Sequence, residues 1–287
     1  MNNDLQARLD FAVAAAQASS KITLEYFGQS NLDQSTKHDG TPVTVADRAC
    51  ESDLRERIIK AYPQDSILGE EFERRVGTSD YEWVIDPIDG TISFVQGVPL
   101  FGTMLACMYK GFPILGVIVM PCLDETVYAA DGLGCWHTTK DNQPSRAQVS
   151  KVSKLDESII NTTSMSYFIT PQHRRLYEQL DAQSKHTRGW SDCYGWVLLA
   201  TGRVDAVIEP VLSLWDFAAA IPIITESGGH WTDLSGKQSL DSGEMVATNG
   251  HLHTPIMNLV QALDPAPKED SGRSERFGSP ESDFPVQ

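Results

Sequence analysis

The sequence predicts an α+β fold in which antiparallel strands form a sheet and helices pack on it. The first observation is a run of apolar, strand-like segments over residues 102–136, which we divide into three strands. The turns between them lie at Lys110-Gly111, Pro121 and Asp131-Gly132. Turns this short join antiparallel neighbours, whereas a doubly wound parallel sheet needs a crossover after each strand. The second observation is that helical patterns precede and follow this meander.

The first half of the chain begins with two helices and two strands. Apolar residues recur at helical spacing over residues 4–27, which predicts an amphipathic helix. A second helix is predicted from Thr44, its expected N-cap, to the residues before Pro63. A short strand that runs into a loop follows over 66–72, and another strand over 81–86.

The second half alternates strands with helices. Strands are predicted over 157–164, 204–210 and 245–250, and helices over 171–184, 192–202, 215–229 and 252–263. We therefore expect two halves, 1–149 and 150–263, that complete one site between them. Residues 264–287 are rich in Pro, Ser and charge and poor in apolar side chains, so we predict a disordered tail.

Charge and cysteine content narrow the possible partners. The net charge of −16 argues against binding to nucleic acid or to an anionic membrane. An anionic substrate stays possible, because bound cations can reverse the local charge. The five cysteines form no CxxC pair and no zinc-ligand spacing, and their odd number indicates a reducing compartment. No signal peptide is evident, so we expect a cytoplasmic protein.

The segment Trp83–Phe94, WVIDPIDGTISF, places two like charges where an apolar strand ends. Asp86 and Asp89 are three residues apart, and desolvated carboxylates at that spacing are unfavourable unless something compensates them. One could keep a proton, each could pair with an Arg or Lys, or a hard cation could lie between them. No basic residue lies between Tyr81 and Tyr109, so only distant pairing stays open as the second alternative.

Further carboxylates lie at the ends of other predicted elements. Glu70 and Glu71 follow a strand, and Asp216 stands near the start of a helix. Each acid alone is equally compatible with a helix cap or a solvated charge. Together they have the composition of a site for a hard cation such as Mg²⁺, which prefers oxygen ligands.

Gly90-Thr91 directly follows the second aspartate. The chain can turn into a helix here, and free backbone N–H groups at a helix start favour a phosphate. The Thr91 hydroxyl can orient a water molecule. Metal ligands beside an anion-binding turn predict metal-assisted hydrolysis of a phosphate ester.

Four motifs give the sequence a resemblance to the inositol monophosphatase superfamily. They are TPVTVAD at 41–47, GEE at 69–71, DPIDGT at 86–91 and WDFAAAIPIITESGG at 215–229. Their order and spacing match the superfamily, and the resemblance covers residues 4–263. It implies a layered α/β/α/β/α sandwich, which agrees with the α+β prediction.

The resemblance also implies roles for individual residues. Mg²⁺ would be bound by Glu70, Asp86, the backbone carbonyl of Ile88, Asp89 and Asp216. Thr91, supported by Asp47 and acting with Glu70, would position or activate the attacking water. The backbone amides of Gly90 and Thr91 would hold the phosphate. The first half would thus bind metal and phosphate, the second would complete the site, and lithium would inhibit.

The stretch 188–210, RGWSDCYGWVLLATGRVDAVIEP, narrows the substrate. It resembles the histidinol-phosphate phosphatases within the superfamily, as does SFVQGVPLFGT after DPIDGT. Histidinol phosphate carries an ammonium and an imidazole, so its pocket needs carboxylates and an aromatic face. The candidates for substrate contact are Arg188, Trp190, Asp192 and Glu209. The resemblance implies that the position of Glu209 meets a sugar hydroxyl in inositol-specific relatives, so Asp192 discriminates between the two substrates better than Glu209 does.

Two residues depart from that group's pattern, and other functions stay open. Ser191 replaces a usual Gly, and Ile92 stands where Lys is frequent. The alternatives are an inositol monophosphatase, a broad sugar-phosphate phosphatase, or an idle relative that only binds ligand. The intact acids argue against the last, since an idle site gains nothing from mutually repelling carboxylates. We expect a small phosphate monoester as the substrate, and a homodimer.

Overall fold

The computed structural model describes residues 2–29, 34–36, 42–140, 142–190 and 192–263. The helices are α1 Asn2–Tyr26, α2 Val45–Ala61, α3 Thr91–Val95, α4 Pro171–Gln183, α5 Asp192–Ala200, α6 Leu214–Phe217, α7 Ala220–Glu226 and α8 His253–Ala262. The strands are β1 Gln34–Thr36, β2 Pro42–Thr44, β3 Ser66–Gly69, β4 Tyr81–Asp89, β5 Gly102–Tyr109, β6 Phe112–Met120, β7 Glu125–Ala130, β8 Gly134–Thr139, β9 Asn142–Arg146, β10 Ile159–Asn161, β11 His186–Arg188, β12 Ala206–Glu209, β13 His230–Thr232 and β14 Met245–Thr248. The predicted tail, 264–287, lies outside the described residues.

Seven strands form the first sheet, in the order β3-β4-β5-β6-β7-β8-β9. β3 runs parallel to β4 and every later pair is antiparallel, which confirms the predicted meander. The prediction of three strands over 102–136 was wrong, because three turns separate four strands there. β9 was missed because it is exposed, polar and contains Pro144, so no apolar alternation marks it.

Five strands form the second sheet, in the order β11-β10-β12-β14-β13. β10 is parallel to both β11 and β12, whereas β14 is antiparallel to β12 and β13. The three central strands were predicted from their apolar runs. β11 and β13 have only three residues each, too few for a periodic signal.

Alternating side chains of the strands connect successive layers. Trp83 and Ile85 of β4 pack in a core with α1 and α2, while Val84 between them packs on the opposite face of the sheet. α5 and α7 supply apolar side chains to that opposite core, which Val207 of β12 joins from the second sheet. Ala206, beside Val207, faces the outer core formed with α4 and α8. The order of layers is therefore α/β/α/β/α, as predicted.

One predicted helix is divided in two. The helix expected over 215–229 is observed as α6 and α7, with a turn at Ala218 and Ala219. Pro222 accounts for this break: it has no N–H to donate to the carbonyl four residues earlier, and its ring crowds that carbonyl. The break leaves Asp216 on a helix of four residues at the edge of the cavity described below.

The strands of the first sheet end at Arg146, and those of the second begin at Ile159. The division into halves at residue 150 stays a prediction, since both sheets share the core around α5 and α7. Among the described residues, no helix is both long and apolar enough to cross a membrane.

Candidate active site

β4 carries two aspartates at an irregularity near its end. Its register with β5 shifts between Asp86 and Asp89, as in a β-bulge. Residues three apart on a regular strand face opposite sides, whereas a bulge changes the direction of a side chain. The carbonyl of Pro87, inside the irregular segment, accepts a hydrogen bond of 2.8 Å from Thr103 Oγ1. Both aspartates consequently line the same cavity.

Asp216 brings a third carboxylate from the second half of the chain. It forms a capping box at the start of α6 and accepts the Ser213 N–H at 2.7 Å. Asp86, Asp89 and Asp216 each offer an oxygen atom, and these atoms lie within 4.8 Å of one another. The structure thus assembles three of the predicted metal ligands from separate parts of the sequence.

The two carboxylates of β4 lie in an unfavourable environment for negative charge. Burial, followed by the charges of Glu70, Asp89 and Asp216, raises the pKa of Asp86 well above its usual range. Burial, followed by the charge of Asp192, does the same to the pKa of Asp89. Asp86 Oδ1 and Asp89 Oδ2 are buried and have no hydrogen-bond partner among the described residues. Oxygen atoms of this kind fit a hard divalent cation, which relieves both burial and repulsion.

Glu70 follows β3 directly and lines the same cavity. Its backbone N–H donates to the carbonyl of Ile85 at 3.3 Å, which holds the chain beside β4. Its carboxylate raises the pKa of Asp86, although it lies outside the group of three oxygens within 4.8 Å. The carbonyl of Ile88 accepts the Thr91 hydroxyl at 3.1 Å, and a carbonyl oxygen retains a second lone pair.

Gly90 places the turn at the start of α3. Its φ of 90° lies in the left-handed region that favours glycine. A Cβ atom here would lie 3.0 Å from both the Leu100 carbonyl and Asp192 Oδ2. The turn therefore needs glycine for its backbone conformation and for the close approach of Asp192.

Asp47 lies at the first turn of α2, behind the cavity. It forms a capping box with Thr44, whose backbone N–H and hydroxyl donate to Asp47 Oδ2 at 2.8 and 2.6 Å. Burial, with the charges of Glu71 and Glu70, raises its pKa to about 6. The Thr91 hydroxyl donates to the carbonyl of Ile88, whereas Asp47 accepts from Thr44. No hydrogen bond between Thr91 and Asp47 is found among the described residues, so the support of Thr91 by Asp47 stays a prediction.

Two predicted substrate contacts line another wall of the cavity. Glu209 ends β12, is buried, and accepts the Thr163 N–H at 2.6 Å. Burial raises its pKa to about 8. Asp192 begins α5 with a φ of 30°, and its N–H donates to Thr163 Oγ1 at 3.0 Å. Both residues line the cavity, and Asp192 Oδ2 also approaches Gly90 directly after β4.

The other two predicted substrate contacts lie elsewhere. Neither Arg188 nor Trp190 is among the residues that line the cavity, although Gly189 between them is. Arg188 is exposed and its side chain donates to the Thr187 carbonyl at 2.6 Å. Trp190 is 37% exposed. Substrate contact by these two side chains stays a prediction, and Ser191 lies outside the described residues.

Sequence reasoning missed the wall that follows β10. Thr163, Ser164, Ser166 and Tyr167 line the cavity. The rule that found the acids, polar residues directly after a strand, would have found Thr163 and Ser164 as well, but not Ser166 and Tyr167. Tyr167 is half-buried, and burial followed by the charges of Asp192 and Glu209 raises the pKa of its phenol.

The cavity that these residues line has a volume of about 500 Å³. Six lining residues are acidic: Glu70, Asp86, Asp89, Asp192, Glu209 and Asp216. None of the described lining residues is Lys, Arg or His. The described part of the lining therefore offers a phosphate group no basic side chain, which favours bound cations as the source of positive charge.

The five-layered fold and the acidic cavity define a metal-dependent phosphatase scaffold. A profile of the inositol monophosphatase family matches residues 4–264, and the chain belongs to this family. A histidinol-phosphatase of Chlorobaculum parvum is 39% identical over 92% of this chain and 97% of its own length. A histidinol-phosphatase of Mycobacterium tuberculosis is 37% identical over 88% of this chain and 98% of its own. The extragenic suppressor protein SuhB of Bartonella henselae matches in structure with a TM-score of 0.81 at 27% identity, over 89% of this chain and 99% of that one.

Proposed function

We propose that the protein is a Mg²⁺-dependent phosphomonoesterase that hydrolyses L-histidinol phosphate to L-histidinol and phosphate. The observation that carries this proposal is one cavity in which six carboxylates meet with no basic residue among the described lining. Such a cavity attracts cations at one part and a cationic substrate group at another. The names of the relatives at 39% and 37% identity support the same substrate.

The metal-binding part comprises Glu70, Asp86, the Ile88 carbonyl, Asp89 and Asp216. These are oxygen ligands, as Mg²⁺ prefers, and the buried oxygens of Asp86 and Asp89 lack other partners among the described residues. When bound, Mg²⁺ neutralises the phosphate ester and lowers the pKa of a water molecule.

The chain's own groups would position the reactants. The Thr91 hydroxyl, with Glu70 and with Asp47 behind it, would orient the attacking water and take part in removing its proton. The backbone amides of Gly90 and Thr91 would hold the phosphoryl oxygens. Fixing water and phosphoryl group together favours in-line attack, because the reaction no longer needs their chance encounter.

Substrate recognition would fall to Asp192 and Glu209. Burial makes the charged form of a carboxylate unfavourable. An ammonium that pairs with the carboxylate offsets part of that cost. Burial raises the pKa of Glu209 to about 8, so an ammonium bound beside this carboxyl group would favour its charged form. An uncharged polyol such as inositol would leave the charge of Asp192 uncompensated, so Asp192 more than Glu209 favours the cationic alcohol.

The direct test is release of phosphate from L-histidinol phosphate by the purified protein. We expect release with Mg²⁺, none after complete chelation, and recovery when Mg²⁺ is added back. An Asp216→Asn variant should be inactive under all three conditions. Undiminished release in excess chelator, or no release at any Mg²⁺ concentration, would contradict the proposal.

We further propose a cytoplasmic homodimer that lithium inhibits, in line with the family resemblance and the cysteine content. Light scattering measures the mass of the assembly. A monomeric mass at working concentration would reject the dimer without affecting the proposed reaction.

A further inference from the structure

A buried carboxylate lies behind the candidate metal site, on α2. Glu51 is 0% exposed and follows Asp47 by one helical turn. Its Oε2 atom accepts the backbone N–H of Glu71 at 2.8 Å, and its Oε1 atom accepts Arg55 Nε at 2.7 Å. Burial of a carboxylate is costly, and here two donors offset that cost.

The loop that carries Glu70 is held against this carboxylate at several points. Arg55 Nη2 donates to the carbonyl of Phe72 at 3.0 Å, so Glu51 and its partner hold the loop together. A Cβ atom on Gly69 would lie 2.0 Å from Glu51 Oε1, which shows how closely the loop backbone approaches α2. The loop is also bound to β4, because the Glu70 N–H donates to the carbonyl of Ile85 at 3.3 Å.

We infer that Glu51 is a positioning residue for the metal site: its carboxylate fixes the loop 69–72 so that Glu70 faces Asp86 and Asp89. The inference rests on the proposed function, because it takes Glu70 as a metal ligand. Glu51 is not among the described residues that line the cavity. Its effect is transmitted through the backbone of Glu71, the neighbour of the ligand.

The test measures the dissociation constant of Mg²⁺ by calorimetry in the absence of substrate. Hydrogen-bond partners behind a metal site typically contribute about 10- to 100-fold to metal affinity, and we expect a loss in this range for Glu51→Ala. Glu51→Gln should lose less, because its amide oxygen can still accept the Glu71 N–H. Gly69→Ala should also weaken Mg²⁺ binding, since its Cβ displaces the Glu51 carboxylate.

Melting temperatures with and without Mg²⁺ separate positioning from general destabilisation. Weaker binding reduces the stabilisation that a fixed Mg²⁺ concentration provides, so the Mg²⁺-induced rise should shrink in the Glu51 variants. Asp205→Asn is the matched control. Asp205 is also a buried acid that accepts a backbone N–H, that of Ile159 at 2.7 Å, but it directly precedes β12 and is not among the described residues that line the cavity. That variant should melt lower with an unchanged Mg²⁺ dissociation constant.

The outcomes are distinguishable. A wild-type protein that binds no Mg²⁺ overturns the proposed function. A wild type that binds Mg²⁺ while Glu51→Ala binds it equally well overturns only the positioning role. If Glu51→Ala fails to fold, Gly69→Ala decides, and a wild-type dissociation constant in that variant overturns the inference.

Discussion

We expect five of the six acids of the cavity to divide into two groups, one that binds metal and one that binds the organic part of the substrate. Asp86, Asp89 and Asp216 lie within 4.8 Å of one another, as a shared cation requires. Asp192 and Glu209 come from α5 and β12 in the second half and would meet the organic part of the substrate. This division lets single substitutions distinguish damage to chemistry from damage to recognition.

The hydroxyl of Thr91 provides a test of the chemistry. Thr91→Ala should lower kcat by about 10²-fold with little change in KM, because orienting the water matters mainly in the transition state. Thr91→Ser should retain more activity, since it keeps the hydroxyl. Thr201→Ala is a control, because that hydroxyl also donates to a backbone carbonyl, Val197 O, but away from the cavity. Steady-state kinetics on histidinol phosphate provide the values, and a wild-type kcat in Thr91→Ala would refute the role.

Recognition is tested by removing one charge at a time. Asp192→Asn or Glu209→Gln should reduce kcat/KM for histidinol phosphate by about 10- to 150-fold, as expected for the loss of a charged hydrogen bond. In Glu209→Gln the side-chain amide oxygen can still accept the Thr163 N–H, so this part of the cavity lining should keep its shape. The kcat/KM for glycerol phosphate, which has no ammonium, should fall much less. An equal loss for both substrates would instead indicate damage to the metal site.

The turn at Gly90 shapes the site at the start of α3. Its contribution to stability can be measured by adding a side chain there. Gly90→Ala should lower the free energy of unfolding by more than the roughly 1–2 kcal/mol of a left-handed non-glycine residue, because its Cβ also meets Leu100 O and Asp192 Oδ2 at 3.0 Å. Gly97→Ala is the matched control: its φ is 71°, yet nothing lies within 4 Å of the added Cβ. Urea unfolding of both variants separates backbone strain from steric clash. Equal losses would show that the close approach at Gly90 carries no cost.

The contact between α8 and the second sheet predicts a dependence of stability on pH. His253 packs edge-on against His230 at 4.4 Å between ring centroids, and burial, with the charge of His230, lowers the His253 pKa from 6.5 to about 4. The unfolded chain therefore binds more protons between those values, so stability is fully present above pH 6.5 and falls as the pH approaches 4. His253→Gln should flatten that part of the curve of unfolding free energy against pH. The exposed His186→Gln should leave it unchanged, and an unchanged slope in His253→Gln would contradict the assignment.

The longer elements were predictable because apolar periodicity marks them. β9, β11 and β13 were not, since their short or polar sequences carry no period. The helix over 215–229 was predicted as one because apolar content outweighed the single Pro222 in that pattern. Each of these errors arises where tertiary pairing or one residue overrides the local pattern.

The site was predictable where charge marked it. The acids after β3 and at the end of β4 stood out because like charges at strand ends need compensation. The convergence of Asp216 on them depends on how α6 packs beside β4, which no local pattern encodes. Tyr167 was missed because an uncharged residue in a loop carries little signal, and the exclusion of Arg188 and Trp190 from the lining depends on the turn of the chain after β11.

At the scale of the whole molecule, a net charge of −16 surrounds a cavity that is itself acidic. Such a field favours cations over anions, so a doubly negative ester approaches with an electrostatic penalty. A substrate with its own ammonium reduces that penalty, and bound metal compensates the phosphate. The charge of the molecule and the charge of the cavity therefore favour the same substrate class.

The most direct test of this account compares kcat/KM of the wild-type protein for L-histidinol phosphate and for myo-inositol 1-phosphate at saturating Mg²⁺. Both substrates present a phosphate monoester, but only the first carries an ammonium for Asp192 and Glu209. We predict a preference for histidinol phosphate of at least about 10-fold, the lower bound for one charged hydrogen bond. Equal values, or a preference for inositol 1-phosphate, would contradict the account.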